Sequence, residues 1–213
     1  MTADGRRIAR ARTLTIAALI VWFTTALIAG ICDVVNQPNR PPLILLCFFL
    51  IPIIGFLAAY LMSPALRAFG DRVSLRLLVG SHLWRFVGVG FVIGWLNGDL
   101  PAGFGIPEGF GDIVAAAGAL ALLPALGRGA APRGWLLAWN IWGMLDLVSA
   151  ITMGLLYSQS RLGILSTATS NTRLLVTFPV SIIPTFFVPL FILVHALVFK
   201  RIATAEPRDL IAR

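Results

Sequence analysis

The run IVAAAGALALLPAL, from Ile113 to Leu126, decides the architecture. It is the shortest of six apolar runs and carries Pro124 near its end. The others cover Leu14–Ile31, Pro42–Met62, Leu77–Leu96, Trp135–Tyr157 and Leu174–Phe199. A helix crossing the hydrocarbon core needs about 20 apolar residues. The 113–126 run sits at the lower limit, and a re-entrant or strongly buried helix is its competing reading. The cations arbitrate. Counted as a span, it places 13 of the 17 Lys and Arg residues on one side, including Arg208 and Arg213 at the end of the chain. Only Arg40, Arg161 and Arg173 fall on the other side, and Arg85 lies inside a run. Without this span the last cationic cluster changes sides, against the rule that positive loops stay in the cytoplasm.

Composition leads to the same class. Of 213 residues, 58% are hydrophobic and 12% are charged, with mean hydropathy +0.90. Soluble domains are about 45–50% apolar and about 25% charged. A soluble enzyme, a disordered tail and a disulfide-rich secreted module are all excluded. The runs lack the period-two alternation of lipid-facing strands, which excludes a barrel. The expectation is an all-α polytopic membrane bundle, a single domain over residues 1–213. It has six spans, cytoplasmic N- and C-termini, and the lipid bilayer as its first partner. The net charge of +8 is then a topology signal and an attraction to anionic headgroups. No segment is long enough for a soluble nucleic-acid-binding domain, so nucleic acid is not an expected partner. The first run is longer than the apolar region of a signal peptide, and Ile31 directly precedes Cys32, so it reads as an uncleaved anchor. Cys32 and Cys47 have no metal-ligand spacing and read as small hydrophobes.

The loop before Ile113 holds a tandem repeat, Pro101-Ala102-Gly103-Phe104-Gly105-Ile106 and Pro107-Glu108-Gly109-Phe110-Gly111-Asp112. Pro and Gly at these positions predict consecutive tight turns, with Asp112 capping the fourth helix. Asp99, Glu108 and Asp112, with no nearby cation, could also form an acidic outer mouth. Turn composition alone accounts for them. Gly90/Gly94, Gly111/Ala115/Ala119 and Ala150/Gly154 recur four apart and predict a tight inner group of helices three, four and five. On helix five, Trp135 reads as an interfacial anchor, and Trp139 and Trp142 as packing or lipid contacts. Pro179, Pro184 and Pro189 predict either a kinked sixth helix or a helix that starts near Thr185.

The informative residues are polar groups within the runs: His82, Arg85, Asn140, Asp146 and His195. A charge at mid-bilayer costs at least about 2.5–3.5 kcal/mol, so such groups face the interior and find partners. Residue counting places Arg85 and Asp146 at matching mid-span depth, which predicts an ion pair. The pair reads either as an interhelical clasp or as a site for a charged solute or proton. His82 and His195 also match in depth, the geometry that bis-imidazole ligation of a b-type haem requires, with Arg85 near a propionate. Hydrogen-bonded bundle histidines are the commoner case. Zinc would want four ligands, and no Cys or acidic cluster accompanies the histidines. No nucleophile motif or HExxH occurs, so catalysis is not expected.

The motifs Trp84-Arg85-Phe86-Val87-Gly88, Pro107 through Asp112, Asn140 with Gly143 and Asp146-Leu147, and Ile183-Pro184 through Val188-Pro189-Leu190 to His195 carry a resemblance. Over about residues 84–195 the chain resembles uncharacterised bacterial multi-pass membrane proteins. The resemblance implies a bundle in the bacterial plasma membrane and no particular chemistry. Three functional expectations follow. The buried polar set lines a small-solute or proton-handling site, or His82 and His195 hold a haem, or the chain is a structural or accessory subunit. The oligomeric state stays open.

Overall fold

A computed structural model of the chain describes residues 2–128 and 132–204. Among these residues there are helices and turns and no strand. Helix α1 spans Ala3–Ile31, capped by the Thr2 hydroxyl, which accepts from the Gly5 amide. It carries Arg6, Arg7, Arg10 and Arg12 within the helix. Helix α2 spans Leu43–Met62 and buries none of its residues within the protein. A short α3, Pro64–Arg72, starts on a Ser63 cap with Pro64 in its first turn, where a missing amide costs nothing.

The third long element changes geometry along its length. Helix α4 covers Leu75–Gly80, a 3-10 segment follows over Ser81–Val87, and α5 covers Gly88–Leu96. Helix α6 spans Ala102–Gly127 and α7 spans Arg133–Leu156. An irregular stretch with a 3-10 turn at Arg173–Val176 leads to a π-turn at Ile183–Phe187 and then α8, Val188–Thr204. Six of these elements are long and apolar enough to cross a membrane.

Side-chain contacts fix the two ends of the bundle. Lys200 Nζ lies 2.5 Å from Asp71, and Arg201 donates to the Gly70 and Val73 carbonyls, which brings the end of α8 to α3. Gly127 lies beside Arg76, and Arg7 and Arg10 share a groove with Ala65 and Leu66. The cation-rich segments therefore gather at one end. At the other end, the Asn39 amide donates to the Gln159 carbonyl at 2.9 Å and Arg161 to the Arg40 carbonyl at 3.3 Å. Arg208 and Arg213 lie outside the described residues.

Two expectations are corrected. The Pro/Gly repeat does not form turns: α6 begins at Ala102, so Glu108 and Asp112 are helix-interior residues, neither cap nor mouth. The cause is tertiary. A Cβ at Gly105 would lie 2.5 Å from that of Trp95, and one at Gly109 would lie 3.0 Å from the Gly88 carbonyl oxygen. These glycines let α6 lie against α5, and that packing overrides their turn preference. Of the expected Gly90/Gly94 pair, Gly94 meets Leu100 and Leu174 while Gly90 faces open space. The inner group is otherwise as expected, with α6 at its centre and α8 added. The second correction concerns the last helix, expected over 174–199. It starts at Ile183 and runs on to Thr204, so the late start still leaves 22 residues. Cys32 and Cys47 are both free and exposed.

Two apolar clusters form the core. One, toward the cationic end, joins α4, α6, α7 and α8 around Val79, Ala119, Leu136 and Val198. The other packs Phe91, Leu100, Phe104 and Leu175 toward the opposite end. The buried polar residues lie between them.

Candidate functional site

Arg85 is the centre of the polar region and is 1% exposed. It sits on the 3-10 segment, where side chains three apart eclipse one another, so His82 and Arg85 project from the same face. Its three nitrogens are all engaged. Nε donates to Asp112 Oδ1 at 2.6 Å, Nη1 to the Gly143 carbonyl at 3.2 Å, and Nη2 to Asp146 Oδ2. The depth match brings Arg85 and Asp146 together as expected, and the structure adds Asp112 as a second carboxylate. One planar guanidinium thus ties the 3-10 segment to α6 and α7.

Two glycines make room for this arrangement. A Cβ at Gly111 would overlap the Asp146 carboxylate, and one at Gly143 would lie 2.5 Å from the His195 ring and 3.1 Å from Arg85 Nη1. A side chain at either position would displace these groups.

One turn before Asp112 on α6, Glu108 is also buried, at 1% exposed. Its Oε1 accepts from the Ser149 hydroxyl at 2.7 Å, and Oε2 has no partner. Asp99 stands apart, exposed in the turn after α5. The three acidic residues once grouped as a mouth are therefore separated: two line the interior and one lies on the surface.

Toward the cationic end, His195 and Asn140 form a reciprocal clamp. His195 Nδ1 lies 2.7 Å from Asn140 Oδ1, and Asn140 Nδ2 donates to the His195 carbonyl at 3.1 Å. With the amide oxygen accepting, the ring proton is on Nδ1 and Nε2 is left as an acceptor. Nε2 and both nitrogens of His82 have no hydrogen-bond partner. Trp139 packs edge-on against His82 and donates its Nε1–H to the Ala115 carbonyl at 2.8 Å.

The two histidines do come together, but with their rings in contact, centroids 4.2 Å apart. Two imidazoles on opposite faces of one iron each add a metal–nitrogen bond of about 2 Å, with a flat macrocycle between them. No such gap lies between His82 and His195, and Phe191 and Trp139 close the sides. The residues as folded do not fit a haem.

In sequence along the bundle, the buried groups are Glu108 with Ser149, then Asp112, Arg85 and Asp146, then Gly143, then His195 with Asn140, and His82. Ser149 and Asn140 are nine residues apart on α7, so this ladder is about 14 Å long. Two carboxyl groups share the Arg85 guanidinium, and the third, Glu108, pairs with Ser149 instead. With both histidines neutral, the set is electrically neutral when two of the three carboxyls hold protons.

A family model described as a domain of unknown function, DUF8737, matches residues 41–203. The chain belongs to the DUF8737 family. The DUF8737 segment contains every residue of the ladder and leaves α1 outside. This division agrees with the packing, since α1 buries only Ala26, Ala29 and Gly30, and Trp22 donates to the Thr185 carbonyl at 3.0 Å. No curated protein matches the chain, and no solved structure does.

Proposed function

We propose that the chain is a bacterial plasma-membrane protein that crosses the bilayer six times with both termini in the cytoplasm, and that its buried ladder handles protons. The observation that carries this reading is the mismatch of one guanidinium with three carboxyls in a file that continues into two histidines. Each carboxyl is a site where a proton is held or released, and Arg85 keeps two of them at fixed positions. His195 Nε2 and the His82 nitrogens extend the file toward the cationic end with groups that both donate and accept. Intramembrane ionisable residues that face a bundle interior mark proton relays and ion pathways. Six apolar helices and the gathering of cations at one end support the membrane placement and its orientation.

Proton flux tests the reading. The full chain is reconstituted in liposomes containing a pH-sensitive dye, and a potassium diffusion potential is imposed with valinomycin. Acidification or alkalinisation above the protein-free rate is expected. Glu108→Gln leaves the Arg85 pairs in place but removes one exchangeable proton, and it is expected to slow the flux by at least about tenfold. Flux equal to that of empty liposomes, or Glu108→Gln indistinguishable from the natural chain, would overturn it.

A further inference from the structure

An apolar space in the molecule reaches the Arg85 cluster. It is a partly open cavity of about 220 Å³ bordered by α2, the 3-10 segment with α5, α7 and the π-turn. Its walls are almost entirely carbon, from side chains such as Leu46, Phe49, Phe91, Ile151 and Phe187. The loop after α1 and the loop after α7 cross its outer end, tied together by the Asn39–Gln159 and Arg161–Arg40 backbone bonds. Among the described residues, Arg85 and Asp112 are the only ionisable ones that line it.

The size and the lining define what fits. An engineered apolar cavity of about 150 Å³ takes up benzene. The space here holds one substituted ring. A charged solute would forfeit its hydration against carbon walls, and the two charges present already satisfy each other. Each Arg85 nitrogen already makes one hydrogen bond, which leaves one N–H on Nη1 and one on Nη2. Asp112 differs. Its Oδ1 takes the Arg85 bond, Oδ2 has no hydrogen bond among the described residues, and the side chain keeps 13% of its surface open. The Asp112 acceptor is therefore unmet at the floor, and a hydroxyl group fits it as a donor while its oxygen can still accept from a remaining Arg85 N–H.

We infer that this cavity binds a neutral, ring-sized apolar molecule that carries a hydroxyl group, with the hydroxyl donating to Asp112 and the ring lying among the aromatic and aliphatic walls. The site places a hydroxyl-bearing ligand in direct contact with the first carboxyl of the Arg85 cluster. Binding itself requires no proton movement, so it stands or falls separately from the flux reading.

The test uses para-fluorophenol as the probe, with the full chain in nanodiscs and fluorine NMR line width as the readout. Two variants fill the cavity, Ala150→Phe on α7 and Leu46→Trp on α2, and neither replaces a residue of the Arg85 cluster. Broadening of the probe signal beyond that of empty nanodiscs is expected with the natural chain and is expected to vanish in both filled variants. Fluorobenzene, which lacks the hydroxyl, is expected to bind at least about tenfold more weakly, as for a ligand that leaves a buried polar group unpaired. Thermal unfolding gives an independent reading, with a rise of about 3 °C from the phenol in the natural chain and none in either variant. Equal broadening in the natural chain and both variants would overturn the site. Equal binding of fluorobenzene, or tighter binding of para-fluorobenzoate, would overturn the assigned ligand class.

Discussion

Replacing Arg85 with Met is expected to destabilise the protein by about 3–5 kcal/mol, the cost of removing one partner from a buried ion pair. The guanidinium is 1% exposed and its nitrogens serve Asp112, Asp146 and the Gly143 carbonyl. Without it, two carboxyl groups and a backbone carbonyl lose their donors in a region that no polar side chain can refill. Met keeps the packing of the Arg stem, so the loss is that of the guanidinium: its charge, its donors and the space it fills. Thermal unfolding in detergent measures it, with elution as a single species as the check on folding. Combining Arg85→Met with Asp112→Asn and Asp146→Asn is expected to recover much of the loss, because a neutral buried set carries no uncompensated charge. A single Arg85→Met variant that unfolds at the natural temperature would mean that the cluster is solvated.

The second large effect is steric. Gly109→Leu is expected to separate α5 from α6 and to cost at least about 3 kcal/mol, the upper end for overpacking. A Cβ at 109 would lie 2.6 Å from Val92 Cγ2, 3.0 Å from the Gly88 carbonyl oxygen and 3.1 Å from the Val92 amide nitrogen. Two of these three are backbone atoms, so no rotamer change relieves the contact. Gly90→Leu is the internal control. Nothing lies within 4 Å of a Cβ there, and leucine is the better helix former, so that variant is expected to be neutral or slightly stabilising. Yield and unfolding temperature of the two variants, side by side, read the result. Equal effects at 90 and 109 would contradict the contact between α5 and α6.

These two positions also mark where the sequence is legible. Long apolar runs and cation placement lead directly to six helices, because both signals depend on local composition. The Arg85–Asp146 pair was legible for a related reason: two mid-span charges of opposite sign have few partners to choose from. Gly90 reads as a packing glycine and Gly109 as a turn residue, and the roles are reversed in the fold, since four-residue spacing says which residues share a face and not which neighbour that face meets. The Pro/Gly repeat misled because turn propensity is local, while the helix over Ala102–Gly127 is held by glycines against Trp95, Val92 and Gly88.

A signal for the acidic pair did exist in the sequence. Continuing the Ala119–Ala115 stripe backward by four and three residues reaches Gly111, Glu108 and Phe104, all of them buried. Read as one helical face, this stripe places Glu108 and Asp112 inside the bundle rather than at its mouth. The contact between the His82 and His195 rings had no such signal. Matched depth is a one-dimensional statement, and whether two rings touch or stand apart across a metal depends on Gly143, which admits His195 to the Arg85 side of α7.

The proposed proton handling requires that carboxyls of the ladder hold protons in the resting protein. The infrared spectrum of the full chain in lipid tests it most directly. A carbonyl band of protonated carboxyl groups is predicted in the resting protein in neutral buffer, shifting in heavy water and weakening in Glu108→Gln or Asp146→Asn. Absence of that band, or a band unchanged in Glu108→Gln, Asp112→Asn and Asp146→Asn alike, would contradict the account.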